Sequence, residues 1–165
     1  MNTSVQKSKR NHLTTTQIGA IGEAAVAIGI TLASKGRLAP FKPLADDDGI
    51  DLLIYDKVTK RALPIQVKSR TKFDNDKAET VQFDVQKTTY ADEGGSHLLA
   101  VLMDGTNLTC SWLIPMTALS ETARQGKNKY TIVPSAKSTS KDRYSRFRRN
   151  TFSAISDELI RAFSE

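Results

Sequence analysis

The sequence is poor in the residues that build disulfide frameworks and transition-metal sites: one cysteine, Cys110, and two histidines, His12 and His97, in 165 residues. A lone cysteine excludes an internal disulfide network. Cys110 lies in the apolar stretch "LTCSWLI", where a small buried side chain is expected in preference to a reactive thiol. Two histidines far apart in sequence give no zinc-ligand spacing. No apolar run approaches the ~20 residues of a membrane span. The first twelve residues, "MNTSVQKSKRNH", lack the apolar segment of a secretory signal. The expectations are therefore no membrane partner, a cytoplasmic location and a flexible basic N-terminus over 1–13. Internal repeats and low-complexity tracts are also missing.

What is present fits an ordinary globular chain, 39% hydrophobic and 25% charged, and the length predicts one domain over 14–165. The net charge of +6 permits an anionic partner without requiring one. Its distribution is more informative. From Lys137 to Arg149, "KSTSKDRYSRFRR" holds six basic residues, one acid and two interleaved aromatics, Tyr144 and Phe147. This pattern suits either a phosphate-tracking surface or a solubilising face.

"TTTQIGAIGEAAVAIGITLASKG" predicts a helix, opened by a capping box of Thr14 and Gln17 and closed at Gly36. Ile18, Ile21, Ala25, Ile28 and Leu32 follow the spacing of a buried stripe. Glu23 is the one acid in this helix, with the small residues Gly19, Ala20 and Ala27 one turn away. It reads either as a carboxylate that other backbone can approach closely or as a glutamate favoured by the helix dipole. Strands are then expected in "RLAPFKPLA" (edge-type, from its prolines), "GIDLLIYD", "ALPIQVKSR", "TVQFDVQ", "HLLAVLMD", "LTCSWLIP" and "YTIVP". Helices follow near "KTTYADE", at about 116–124 and at about 151–163. The class is α/β or α+β, with one central mixed sheet flanked by helices.

Strand alternation sorts the polar residues. Ile50, Leu52 and Ile54 face the core in one strand, leaving Asp51 on the other side. In the next, Ile65 and Val67 face the core, leaving Gln66 and Lys68 together. A four-residue hairpin loop, Lys57 to Lys60 or Val58 to Arg61, makes paired residue numbers sum to an odd value such as 117 or 119, which sets Asp51 opposite Gln66 or Lys68. At a cross-strand separation of ~5 Å, Asp51 and the Gln66 carbonyl can share a hard cation, with Lys68 beside it for a phosphate or a water. Asp51 and Lys68 could equally form a structural ion pair. Asp46, Asp47 and Asp48 are assigned to the turn before the strand, with Gly49 as its pivot.

These pieces in order, "GEAAVAIGITLASKG", "DDDGIDLLIYD" and "LPIQVKSR", resemble the PD-(D/E)XK nuclease superfamily, in the branch of resolvase-like and type IV restriction endonuclease domains. The resemblance covers residues 17 to 70 and implies a restriction-endonuclease-like core. It maps Glu23 onto the helix glutamate, Asp51 onto the metal-ligating aspartate, Gln66 onto the second acidic position and Lys68 onto the catalytic lysine. Val67 would lend its carbonyl to the metal. The chain departs from the family at Gln66, where an acid is usual. The resemblance implies Mg²⁺ or Mn²⁺ as cofactor, DNA as partner and hydrolysis of its phosphodiester bonds, in repair, recombination or defence. The alternative is a nuclease-fold DNA-binding or accessory protein with little or no activity. Ser69 and Arg70, beyond the lysine, join Lys141, Arg143, Arg146, Arg148 and Arg149 as expected nucleic-acid contacts. A homodimer would suit cleavage of both strands.

Overall fold

A computed structural model describes residues 13–45, 49–72, 79–89 and 95–164. The basic N-terminal tip, the Asp46–Asp48 turn and the end of the segment near "KTTYADE" lie outside the described residues; its beginning, Lys87–Thr89, is one 3-10 turn. The helix α1 (Thr15–Ala33) starts as the sequence predicts: Thr14 Oγ1 accepts the Gln17 N–H at 3.2 Å, and Gln17 Oε1 accepts the Thr14 N–H at 2.8 Å. Gly36, at φ +77°, provides the left-handed exit.

Five strands form the main sheet, in the order β1 (Leu38–Phe41), β2 (Leu52–Asp56), β3 (Arg61–Thr71), β5 (His97–Asp104) and β6 (Asn107–Pro115); only β3 and β5 are parallel. This is the expected mixed sheet, with β1 at its edge. In addition, β4 (Phe83–Gln86), β8 (Lys129–Ile132) and β7 (Arg124–Gln125) make a separate small sheet in the order β4-β8-β7. The central mixed sheet is as expected, and this small sheet is an element that the expectation did not include. Local alternation shows that Phe83–Gln86 is a strand but carries no information about its partner, Lys129–Ile132, more than forty residues later.

The main sheet separates two apolar cores. On one face, α1 and α3 (Phe152–Ala162) cover Ile54, Ile65, Val67, Leu99, Val101 and Met103. On the other, the small sheet and α2 (Met116–Thr122) cover Leu98, Ala100, Cys110, Trp112 and Ile114. The strand β5 is apolar on both faces because both are covered. Cys110 is buried as expected, and desolvation pushes its thiol pKa up.

The buried face of α1 differs from the predicted stripe. Gly22, Ala25, Val26, Gly29 and Ile30 are buried, while Ile28 and Leu32 are 61% and 73% exposed. A helix that is apolar all round has no single stripe for periodicity to find, and close approach decides the outcome. A methyl added at Gly22 would overlap the Ser69 hydroxyl, and one at Gly29 would enter the Phe152 ring. The glycines thus let α1 lie directly on β3 and α3. By length and composition α1 would also suit a membrane span, contrary to the expectation that no segment would. Its packing on β3, β1 and α3 makes it the core helix of this fold.

The β2–β3 hairpin is organised by Asp56, which is fully buried. Its carboxylate accepts two 2.9 Å bonds from Arg37, the Val58 N–H at 3.0 Å and the Thr59 hydroxyl at 2.9 Å. The turn therefore spans Lys57–Lys60, with Lys60 at φ +61°, and Leu52 faces Ile65, Leu53 faces Pro64 and Ile54 faces Leu63. All of these pairs sum to 117, one of the two registers that parity allows.

Two outcomes follow for stability. Gly22→Ala should destabilise the fold by about 1–3 kcal/mol through overpacking. Gly19→Ala, where nothing lies within 4 Å, should stabilise it by about 0.5–1 kcal/mol through helix propensity. Urea denaturation measures both, and equal effects would contradict the close approach at Gly22. The hydrogen bond from Arg37 holds the Asp56 carboxyl well below the usual carboxylate range against the opposing cost of burial. Its stabilising contribution is fully present above the unfolded value of about 4, and is lost as pH falls from there toward the folded value. Asp56→Asn should lower the melting temperature at pH 7, and the gap to the parent protein should shrink as pH is lowered below 4.

Candidate functional site

Beyond β2 the ladder continues one residue, with the Asp51 N–H donating to the Ile65 carbonyl at 3.0 Å. In this register Asp51 lies opposite Gln66, as parity predicts. Its Oδ2 accepts the Val67 N–H at 2.6 Å, so the carboxylate is fixed against the backbone of β3 between Gln66 and Lys68. Gln66 is only 4% exposed, because Gly49 and Thr89 close over it. Gly49 sits at φ +67°, and a methyl there would lie 2.5 Å from Thr89 Cβ and 2.9 Å from Gln66 Nε2. A glycine is needed at this position on both counts.

The Gln66 amide makes one long bond, from Nε2 to Thr89 Oγ1 at 3.4 Å, and Thr89 is held in turn by the Gln86 carbonyl at 3.1 Å. Among the described residues, Gln66 Oε1 is buried with no hydrogen-bond partner. A buried carbonyl oxygen in that state has room to accept from a donor or a cation, and Ser69 Oγ, Thr71 Oγ1 and Ser156 Oγ share it among the described residues. Lys68, next on the same face, is half-buried, and no ion pair among the described residues engages it.

Glu23 arrives from the helix layer, one residue after the Gly22 contact with Ser69. Its carboxylate is paired with Lys42 Nζ at 2.6 Å, a contact that sequence reading missed. The register sets Asp51 opposite Gln66, with Val67 and Lys68 next along β3, whereas Glu23 belongs to α1, which packs on the Ile65 and Val67 face, and is paired with Lys42. Among the described residues no three His, Cys, Asp or Glu side chains cluster. Any ion held here would rely on one or two carboxylates plus neutral oxygens, a donor set that fits a hard divalent cation and excludes a soft one. His97, the register partner of Ile65 on β5, is buried, its Nδ1 lies 2.6 Å from the Gly95 carbonyl, and burial lowers its pKa.

The expected nucleic-acid contacts divide. Ser69 is turned inward beneath α1 and cannot meet a ligand. Arg148 is also committed internally: its guanidinium lies 5.3 Å from the Trp112 ring and donates to the Ser135 and Ala136 carbonyls. Arg149 pairs with Glu158 at 2.8 Å. Tyr144 and Phe147, read as interleaved surface aromatics, are buried in the second core. Arg70, Lys141, Arg143 and Arg146 are exposed. The segment is therefore a basic outer face pinned by two inward rings, an arrangement that composition cannot distinguish from a fully exposed one.

In a chelating buffer, Gln66→Met should raise stability by about 1 kcal/mol, because a buried acceptor without a partner costs on the order of 1–3 kcal/mol. A loss of similar size in urea denaturation would mean that the amide is well satisfied.

No family model matches the chain, and no curated protein matches its sequence. Among solved structures it is similar to a bacterial homing endonuclease, I-Ssp6803I, with 20% identity and a TM-score of 0.59 over 92% of this chain and 95% of that one. A looser likeness, with 12% identity and a TM-score of 0.38 over 62% of this chain and 82% of the other, is to Hjc, a Holliday junction resolvase from the archaeal hyperthermophile Archaeoglobus fulgidus. The first match, across nearly the full length of both chains, shows that this protein has a nuclease-type α+β fold.

Proposed function

We propose that the protein is a divalent-metal-dependent endonuclease that hydrolyses phosphodiester bonds in DNA, acting in the cytoplasm through one domain over 14–165. The observation that carries this reading is the buried Gln66 Oε1, without a hydrogen-bond partner among the described residues, in register opposite an Asp51 whose carboxylate the Val67 N–H holds in place. The fold shared with a homing endonuclease supports it. Asp51, the Gln66 carbonyl, the Val67 carbonyl and Glu23 would hold Mg²⁺ or Mn²⁺. When bound, the ion supplies a Lewis acid that polarises the scissile phosphate. Lys68 places its ammonium beside the same phosphate, where it offsets the charge that builds on the oxygens during attack and orients the incoming water. Glu23 must first leave Lys42, so its ion pair competes with the metal. Cleavage of both strands would call for a second copy of the chain.

A neutral ligand at position 66 and a glutamate already paired with Lys42 favour a second reading, a DNA-binding protein of this fold with a weak metal site. Plasmid and duplex cleavage in Mg²⁺ separates the two. On the endonuclease reading, DNA is cut, Lys68→Ala lowers the rate by roughly 100-fold or more, and Gln66→Glu shifts half-maximal activity to lower metal concentration. DNA that is bound but stays intact in both Mg²⁺ and Mn²⁺, with no heat of metal binding, would leave only the second reading.

A further inference from the structure

Basic charge is concentrated in a second place, the hairpin that joins β7 to β8. Residues Arg124, Gln125, Gly126, Lys127 and Asn128 are consecutively exposed. Between Asp104 and Asp142 the chain has five basic residues and a single acid, Glu121. The side chains at the tip are arginine, lysine and the amides, the types that hydrogen-bond the edges of guanine and adenine in the major groove, which is wide enough for a two-stranded ribbon.

The tip is held rigidly. The Gly126 N–H donates to the Lys129 carbonyl at 2.8 Å, and a methyl on Gly126 would crowd that carbonyl at 3.2 Å. Asp84 on the neighbouring strand is satisfied by Lys129 Nζ at 2.9 Å and Thr131 Oγ1 at 2.7 Å, so its charge is already neutralised. Gln125 Nε2 donates to the Ser120 carbonyl at 3.1 Å, which ties β7 to α2 and leaves Arg124, Lys127 and Asn128 as the outward groups.

The hairpin is also wired to the candidate site. The Lys87 N–H donates to the Asn128 carbonyl at 2.9 Å, and Lys87 Nζ lies 5.1 Å from the Tyr130 ring. Two residues on, in the same 3-10 turn, Thr89 meets the Gln66 amide and Gly49. At ~2 Å rise per residue, one turn separates the hairpin root from the site. On the other flank, Arg143 Nη1 donates to the Thr122 carbonyl at 3.2 Å, which brings an exposed arginine of the 137–149 segment to the start of β7.

We propose that the 124–128 hairpin enters the major groove of duplex DNA and reads base edges with Arg124, Lys127 and Asn128, while Arg143 and Lys87 flank it on the phosphates. This rests on the endonuclease reading and adds the element that chooses where the chain sits on DNA. The groove-bound tip and the site share the rigid Lys87–Thr89 turn, so a base contact fixes which phosphate lies near Lys68.

The test is selection of bound sequences from randomised duplexes by the full chain and by Lys127→Ala/Asn128→Ala, both with the candidate metal site intact, alongside Mg²⁺-dependent cleavage. The full chain should enrich a motif. The double variant should lose preference at two or three adjacent base pairs and bind that motif roughly 10- to 100-fold more weakly. Its affinity for non-specific duplex should stay within about threefold. An unchanged motif in the variant, or DNA cut by the full chain with no preference at all, overturns the hairpin reading and leaves the nuclease standing. A full chain that neither binds nor cuts duplex DNA overturns both.

Discussion

A single buried carboxylate, Asp56, sets the geometry on which the candidate site depends. Its bonds to Arg37, Val58 and Thr59 fix the four-residue turn, the turn fixes the register of β2 on β3, and the register puts Asp51 opposite Gln66. A slip of one residue would send Gln66 and Lys68 into the helix-side core and Ile65 and Val67 to the site. The charge is costly to bury and is compensated by four hydrogen bonds, two of them from a bidentate guanidinium.

Glycine makes the second constraint. Gly22 lets α1 rest against Ser69, and Gly49 lets the incoming chain press against Gln66. Among the described residues, Gln66 Oε1 and Ser69 Oγ are both buried there without a hydrogen-bond partner. Unpaired acceptors of this kind cost stability, and a water, an ion or a ligand can satisfy them.

Much of this was legible in the sequence, for reasons that differ from residue to residue. The capping box of α1 is a local signal and appears as read. The hairpin parity is a counting rule, and it anticipated Asp51 beside Gln66. The stripe on α1 was misread because isoleucine and leucine lie on every side of that helix, whereas the buried side is chosen by glycines too small to register as core. The second sheet could not be read, because its pairing joins distant segments. Asp56 escaped notice as well. It looks like an ordinary turn aspartate, and only its bond to Arg37, nineteen residues earlier, shows its role. In the Lys137–Arg149 segment the aromatics and Arg148 pack inward, while Lys141, Arg143 and Arg146 remain exposed, a division that composition does not show.

Site and hairpin form one functional surface only if a cation occupies the oxygens around Gln66. The most direct measurement is anomalous diffraction from crystals grown with Mn²⁺ and duplex DNA. The account predicts a peak bounded by the Asp51 carboxylate and Gln66 Oε1, with Glu23 released from Lys42. A clear Mn²⁺ signal elsewhere and none at that position, with Gln66 Oε1 instead accepting a hydrogen bond, would contradict it.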